Sequence, residues 1–236
     1  MSVPTLLNTT IEQAHTDGLI PTGINCVLTD PPYGVNYRSR SAKTPEGLKW
    51  VEDITNDGDI EQAVKVFQDA MDCVLPNCAD EAEMYVFTRW DIVDVWIPAI
   101  RDLSRHGFTF KMMLVWDKGS PGMGDIDANW GCGHEIILYA KKGRRPIPYR
   151  RSGIISVERV AKTRHIHPSE KPVALLEKLI EMSTDVGDLV VDPFAGSAST
   201  LAAAHNTGRR SWGTEVHTPF YERAIERLTQ APISMF

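Results

Sequence analysis

Short apolar runs alternate with stretches of helical period along most of this chain, and that alternation limits the fold more than any other feature. Ile24–Leu28, Met84–Phe87, Thr109–Trp116, Glu135–Ala140, Asp188–Asp192 and the segment "RSWGTE" ending at Glu215 read as strands. Between them Ala63, Val64, Phe67, Ala70, Met71, Val74 and Leu75 recur at helical spacing, and Ile92–Leu103 reads as a helix with Pro98 as a kink point. Pro172 opens another helix, where its missing N–H costs nothing, and Leu175, Leu176, Leu179 and Ile180 form its apolar stripe. Thr200–His205 begins a helix and Phe220–Leu228 forms the last one. Strands in alternation with helices predict an α/β fold, a doubly wound and mostly parallel sheet with helices on both faces. At 236 residues and 42% hydrophobic content, one domain over residues 1–236 is the expected organisation.

Several classes are set aside by composition. The opening "MSVPTLLNTT" lacks the basic start and apolar core of a secretory signal, and no apolar run is long enough to cross a bilayer. The four cysteines, Cys26, Cys73, Cys78 and Cys132, form no CxxC pair and read as free thiols of a reducing cytoplasm. The net charge of −6 argues mildly against a polyanionic partner, but the distribution argues the other way. From Lys141 to Arg164 lie Lys141, Lys142, Arg144, Arg145, Arg150, Arg151, Arg159, Lys162 and Arg164, opposed only by Glu158. An acidic body with a local basic patch suits nucleic acid. The polar, turn-rich stretch from Val35 to Asp59 reads as a long, mobile loop.

In sheets of this kind, ligands bind at the carboxyl ends of strands. Two strands here end in unusual chemistry. One ends in Asp192-Pro193-Phe194-Ala195-Gly196-Ser197, where small residues let the backbone approach a ligand and the following helix offers unpaired N–H groups. Asp192 suits an ammonium group, and Glu215, about 20 positions past the glycine loop, suits a ribose diol. Amino acid plus ribose points to S-adenosylmethionine, although small-residue turns also occur in folds without a cofactor. The other strand ends in Asp30-Pro31-Pro32-Tyr33. The Asp30 carboxylate and the Pro31 carbonyl are paired acceptors for an –NH2 group, and Tyr33 offers a flat face to a base. Taken alone, this stretch is equally a Pro-Pro turn with a capping aspartate.

The two motifs together resemble the beta-class, S-adenosylmethionine-dependent DNA amino-methyltransferases, the adenine-N6 and cytosine-N4 family. "DPPYG" resembles the family's catalytic motif and "DPFAGSAST" its cofactor loop, with Ala198 replacing a glycine and Ser199 a threonine. "HPSEKPVALLEKLI" resembles the segment that precedes that loop, and "LVWDK" and "GHEIILYAKKG" are similar to family segments too. The catalytic motif precedes the cofactor loop, which implies a permuted Rossmann-like fold. The resemblance implies catalysis by Asp30, Pro31, Pro32 and Tyr33. It implies cofactor binding by Asp192, Phe194, Ala195, Gly196, Ser197, Glu215 and Lys171, with Lys171 near the cofactor's amino-acid end. It places target recognition between "HEIILYAKK" and "HPSEKP", here residues 143–165, so Arg144, Arg145, Arg150, Arg151, Lys162 and Arg164 are the candidate DNA contacts. No metal is called for, and His165 with His167 lacks further ligands of suitable spacing. Trp116 and Trp130 read as core or loop packing rather than base-stacking residues.

The leading expectation is methyl transfer to the N6 amine of a flipped-out adenine in DNA, since DPPY rather than SPPY favours adenine. Transfer to N4 of cytosine, methylation of RNA, and a catalytically weak DNA-binding protein are the rival expectations. Relatives of this class often pair, which makes a homodimer the expected assembly. No endonuclease signature is present, so a restriction-modification partner, an orphan enzyme and a mobile-element gene all stay open.

Overall fold

The computed structural model describes residues 3–34, 59–121, 130–146, 148–159 and 170–229. Along the chain these form β1 (Thr5–Leu7), α1 (Ile11–Thr16), β2 (Ile24–Thr29), α2 (Ile60–Val74), β3 (Cys78–Thr88), α3 (Val93–Asp102), β4 (Thr109–Asp117) and β5 (His134–Lys142). Then follow β6 (Ile154–Ser156), α4 (Val173–Ser183), β7 (Leu189–Asp192), α5 (Ser199–Asn206), β8 (Arg210–Thr214) and α6 (Thr218–Thr229). The strands form one sheet in the order β1-β8-β7-β2-β3-β5-β4-β6. All run in one direction except β5, which is antiparallel to both β3 and β4. The mostly parallel, doubly wound sheet expected from the alternation is therefore present.

Alternating side chains divide the core between the two sheet faces. Ala82, Met84 and Val86 of β3 pack with Phe67 and Met71 of α2 and Trp96 and Ile100 of α3. Tyr85 and Phe87 point to the other face, beside Leu175, Leu176, Leu179 and Ile180 of α4 and Ala203 of α5. A smaller cluster joins Leu6, Ala195, Ala198, Leu201 and Ala224 beneath α6. Fully buried Trp96 and Phe67 are such large side chains that truncating either to alanine costs about 3–5 kcal/mol.

Helix ends explain most boundaries. The Asp59 carboxylate accepts from Glu61 N at 2.9 Å and starts α2. Pro172 stands one residue before α4, with φ −59° and ψ 128°, and its carbonyl accepts from Leu175 N at 3.0 Å. Pro98 lies inside α3. The strand order reverses between β7 and β2: from β7 the chain winds through α5 to β8, and from β2 through α2 to β3. The carboxyl ends of these two adjacent strands carry Asp192 and Asp30. Of the expected long loop only Asp59 falls within the described residues. The expected recognition segment contains the edge strand β6, paired in parallel with β4 from Val115 to Asp117. No helix among the described residues is long and apolar enough to cross a membrane.

Candidate active site

The two unusual strand ends open into one cleft. Its lining includes Thr29, Asp30, Phe87, Lys171, Asp192, Phe194, Gly196, Ser197 and Thr200, around about 390 Å³ of empty space that is partly open to solvent.

On the β7 side the loop is held from below. The Asp192 Oδ1 accepts from Thr29 Oγ1 at 2.7 Å and from Phe194 N at 3.1 Å. Burial outweighs these bonds and pushes the Asp192 carboxyl up to about 6. Gly196 adopts φ 52°, where glycine meets no steric penalty, and its N–H donates to Glu215 Oε2 at 2.9 Å. The other Glu215 oxygen accepts from His217 N at 2.8 Å. Burial raises the Glu215 pKa, opposed by those two N–H donors. Asn8, just after β1, donates to the Glu215 carbonyl at 2.8 Å and so holds the end of β8. Ala198 adopts φ 56°, the one non-glycine residue with positive φ among those described. The glycine of related loops is replaced at a position that does favour glycine.

On the β2 side, Pro31 is buried while Asp30, Pro32 and Tyr33 are partly exposed. Gly34 closes the turn at φ 72°, and a Cβ there would lie 2.4 Å from the Asp59 carbonyl oxygen, so both conformation and space require glycine. The Tyr33 hydroxyl donates to Asp30 Oδ1. Its ring packs edge-on against Trp96, with centroids 6.4 Å apart.

Lys171 is the residue whose placement sequence reasoning least anticipated. It lines the same cleft as Asp192, but its ammonium sits 2.6 Å from Asp30 Oδ2 and 2.9 Å from Glu135 Oε1. Phe87 lies beneath it at 5.0 Å. Glu135 Oε2 in turn meets Lys118 Nζ at 2.7 Å. Two carboxylates thus share two ammonium groups. Burial acts against the Glu135 charge, but Lys171 and Lys118 outweigh it and hold that carboxyl at about 2. Burial and the neighbouring Glu135 charge push Asp30 upward, offset in part by Lys171 and Tyr33.

Glu135, Lys118 and Arg227 carry no assignment from sequence reasoning. Arg227 of α6 pairs with Glu170 and donates to Ser199 Oγ at 2.6 Å, fastening the last helix to the start of α5. A charged residue at the start of an otherwise apolar strand, as Glu135 is in "HEIILYA", was the available signal.

The candidate DNA contacts separate in space. Because β5 runs against its neighbours, Arg144 and Arg145 follow its far end and lie at the opposite rim of the sheet from the cleft. Arg145 is paired with Asp185 and, at 2.8 Å, with Asp188. Arg150 and Arg151 are exposed just before β6, with the Arg151 guanidinium 4.4 Å over the Tyr149 ring. Arg159, past β6, donates to the Cys132 carbonyl at 3.1 Å on the cleft side of the sheet. Lys162 and Arg164 lie outside the described residues, as do His165 and His167. Trp116 is core, as expected, with Nε1 donating to the Val157 carbonyl at 2.8 Å. Trp130 is not: it is 97% exposed, on the segment leading into the cleft end of β5.

Residues 24–226 match the family model N6_N4_Mtase, described as DNA methylase. The chain belongs to this family. It is 32% identical over 215 residues, covering 90% of this chain and 85% of the relative, to YubD of Escherichia coli (strain K12), which carries the name of a methylase. It is 27% identical over 248 residues, 88% of this chain and 77% of the relative, to the DNA adenine methyltransferase YhdJ of the same organism. Among solved structures it resembles the M1.HpyAVI–SAM complex, with a TM-score of 0.70, 20% identity, and coverage of 96% of this chain and 99% of that one. It also resembles the cytosine-N4-specific PvuII DNA methyltransferase, with a TM-score of 0.73, 16% identity, and coverage of 99% and 89%. At such identities the structural likeness speaks to the fold.

Proposed function

We propose that this DNA methylase transfers the methyl group of S-adenosylmethionine to the N6 amine of adenine in DNA. The observation that carries the reading is the shared cleft: Asp30, an acceptor for an amine, and Asp192, an acceptor for a cofactor ammonium, open into one space at the strand-order reversal. The donor and acceptor set fits that cofactor. Asp192 would hold its amino group and Glu215 its ribose hydroxyls. Gly196 and Ser197 would border it through their backbone, with Phe194 and Ala195 as apolar contacts. The cofactor supplies an electrophilic methyl group on a sulfonium.

The protein's part is positioning and electrostatics. An exocyclic amine is a poor nucleophile because its lone pair is delocalised into the ring. Asp30 and the Pro31 carbonyl accept its two N–H bonds, localise that lone pair and stabilise the positive charge that grows on nitrogen. Pro31 and Pro32 aim that carbonyl stiffly, and the Tyr33 hydroxyl fixes Asp30 from the side. Alignment of amine and methyl in the cleft replaces a bimolecular encounter.

The aspartate that opens DPPY supports adenine over cytosine. Exposed Arg150 and Arg151, with Arg159 nearer the cleft, support contact with a DNA backbone. Exposed Met112, Met113 and Ile154 on the β4–β6 edge support a homodimer, which sedimentation at micromolar concentration tests. The four free thiols agree with a cytoplasmic setting. The deciding experiment digests DNA to nucleosides after incubation with the protein and S-adenosylmethionine, and identifies the product by mass. N6-methyladenine, absent with Asp30→Ala, is the expected result. N4-methylcytosine would overturn the base assignment, and no methylated base would overturn the enzymatic reading.

A further inference from the structure

Both oxygens of Asp30 hold a donor, Tyr33 on Oδ1 and Lys171 on Oδ2. This conflicts with the chemistry proposed for it. As the methyl is transferred, the target nitrogen becomes cationic. An ammonium held on the same carboxylate repels that charge and weakens the acceptor that should stabilise it. Lys171 cannot shed its proton as a remedy, because Asp30 and Glu135 outweigh the effect of burial and raise its pKa. It needs a second anion within reach, and Glu135 Oε1 lies 2.9 Å away.

We propose that Glu135 is a positioning residue that takes over Lys171 when the target amine docks, leaving Asp30 Oδ2 to accept the amine. The inference rests on the amine-methylation reading and applies equally to adenine and cytosine. The geometry divides the work of Glu135. Its Oε2 is occupied by Lys118 at 2.7 Å, which keeps the carboxylate charged and oriented, while Oε1 faces Lys171 at 2.9 Å and accepts from the Tyr33 hydroxyl at 3.1 Å. The Phe87 ring, 5.0 Å under the Lys171 ammonium, gives the cation a surface to slide across. Since Lys171 already touches both carboxylates, the handover is a small rotation. The cluster stays charge-balanced before and after it.

The test is Glu135→Gln, which preserves shape and removes the receiving charge. Lys171 then keeps Asp30 and loses the Glu135 charge. The expected result is a fall in kcat of about 100-fold in the folded protein, with the KM for S-adenosylmethionine close to that of the wild type. A second signature separates positioning from mere structure. The groups facing Asp30 are Lys171, Tyr33, Glu135 and Asp192, with Lys118 behind Glu135. Removing the Glu135 charge removes one influence that raises Asp30, so the acid limb of kcat/KM should move to lower pH. Lys118→Met keeps the Glu135 charge but removes the ammonium that orients it, so kcat should fall about 10-fold with no move of the acid limb to lower pH, and this variant replaces Glu135→Gln if that one does not fold. An unchanged kcat, an unmoved acid limb in Glu135→Gln, or a loss expressed in the cofactor KM would overturn the handover. A wild-type protein that methylates no DNA would instead overturn the reading beneath it.

Discussion

One face of the sheet carries two charge clusters built from the same residue types, one closed and one open to the cleft. Phe87, Tyr85 and Glu83 alternate down β3, and Glu135, Ile137, Tyr139 and Lys141 run along β5 beside them. At the cleft end lie Asp30, Tyr33, Glu135, Lys118 and Lys171. Four residues lower on β3, about 13 Å away, the Glu83 carboxylate accepts from Lys141 at 2.9 Å, Ser183 at 2.6 Å and Tyr139 at 2.9 Å. Helix α4 links the two, with Lys171 just before its start and Ser183 at its end. The lower cluster is closed: every strong acceptor is met by donors that cannot leave, and Glu83 is fully buried. The upper cluster faces a cleft, and its cation has two anions to choose between. A satisfied buried network rigidifies a fold, whereas a shared one can rearrange when a ligand adds a partner.

The sharpest way to break this contrast is to exchange a carboxylate for its amide in each cluster. Glu83→Gln strands the Lys141 ammonium in the core, and breaking a buried ion pair costs about 3–5 kcal/mol. For a chain of this size that lowers the melting temperature by about 10 °C, while kcat of the folded protein should stay within a factor of about two. Asp30→Asn should do the reverse, lowering methylation by at least about 1000-fold with little change in melting temperature. Equal stability losses in the two variants would show that the clusters do not differ in kind.

Asp192 sharpens the comparison because it combines both characters: buried like Glu83, yet lining the cleft. Its folded pKa of about 6 lies above the ordinary value of 3.8. The folded protein therefore holds this proton more tightly than the unfolded chain. The resulting stabilisation is complete below about pH 4 and is lost as pH rises through 6, an effect of about 3 kcal/mol. Asp192→Asn should therefore melt higher than the wild type at pH 8 and show no such advantage at pH 4. The same variant should lose most of the melting-temperature rise produced by S-adenosylmethionine. A variant less stable than wild type at pH 8 would remove the case that this acid is kept for function at a cost in stability.

The arginines test the same division across the surface. Arg145 belongs to the closed end, where its carbonyl accepts from Lys141 and its guanidinium holds Asp185 and Asp188. Arg150 and Arg151 are exposed. Replacing both with alanine should weaken DNA binding about tenfold and reduce the slope of log affinity against log salt by about 1–2. Replacing Arg144 and Arg145 should leave that slope unchanged and cost about 1 kcal/mol of stability through the lost ion pairs. The opposite pattern would put DNA at the far rim.

What could be read from the sequence was local. The alternation of periods gave the sheet and its helices, and the two strand ends announced their chemistry because consecutive residues supply it. Other features depend on partners far along the chain. "CADEAE" is too polar to read as buried strand, yet it forms the first half of β3 because Lys141, 58 residues away, neutralises Glu83. The reversal of β5 carried Arg144 and Arg145 away from the cleft, and no periodicity encodes direction. Strand β6 is three residues long inside a basic run. Lys171 could be placed near the cleft from its motif, but its choice of Asp30 and Glu135 arises only when α4 packs across β2 and β3.

Ala198 gives the smallest effect and bears on whether the cofactor end is impaired. At φ 56° and ψ 28° its side chain costs about 1–2 kcal/mol relative to an ordinary conformation. Glycine would remove that strain. It would also give up a buried methyl worth about 0.8 kcal/mol and would loosen the unfolded chain by about 0.5–1 kcal/mol. These terms nearly cancel, so Ala198→Gly should shift stability by less than about 1 kcal/mol. Its methyl packs with Leu6, Ala195, Leu201 and Ala224, and Ala198 is absent from the lining of the cleft. The substitution is thus absorbed on the core side of the loop, while Gly196, which binds Glu215, keeps its backbone freedom on the cleft side. Turnover of Ala198→Gly should therefore lie within about threefold of wild type, under 1 kcal/mol on the barrier. A rise of more than tenfold would mean that the extra methyl restrains the loop, and would favour a protein that occupies DNA more than it methylates it.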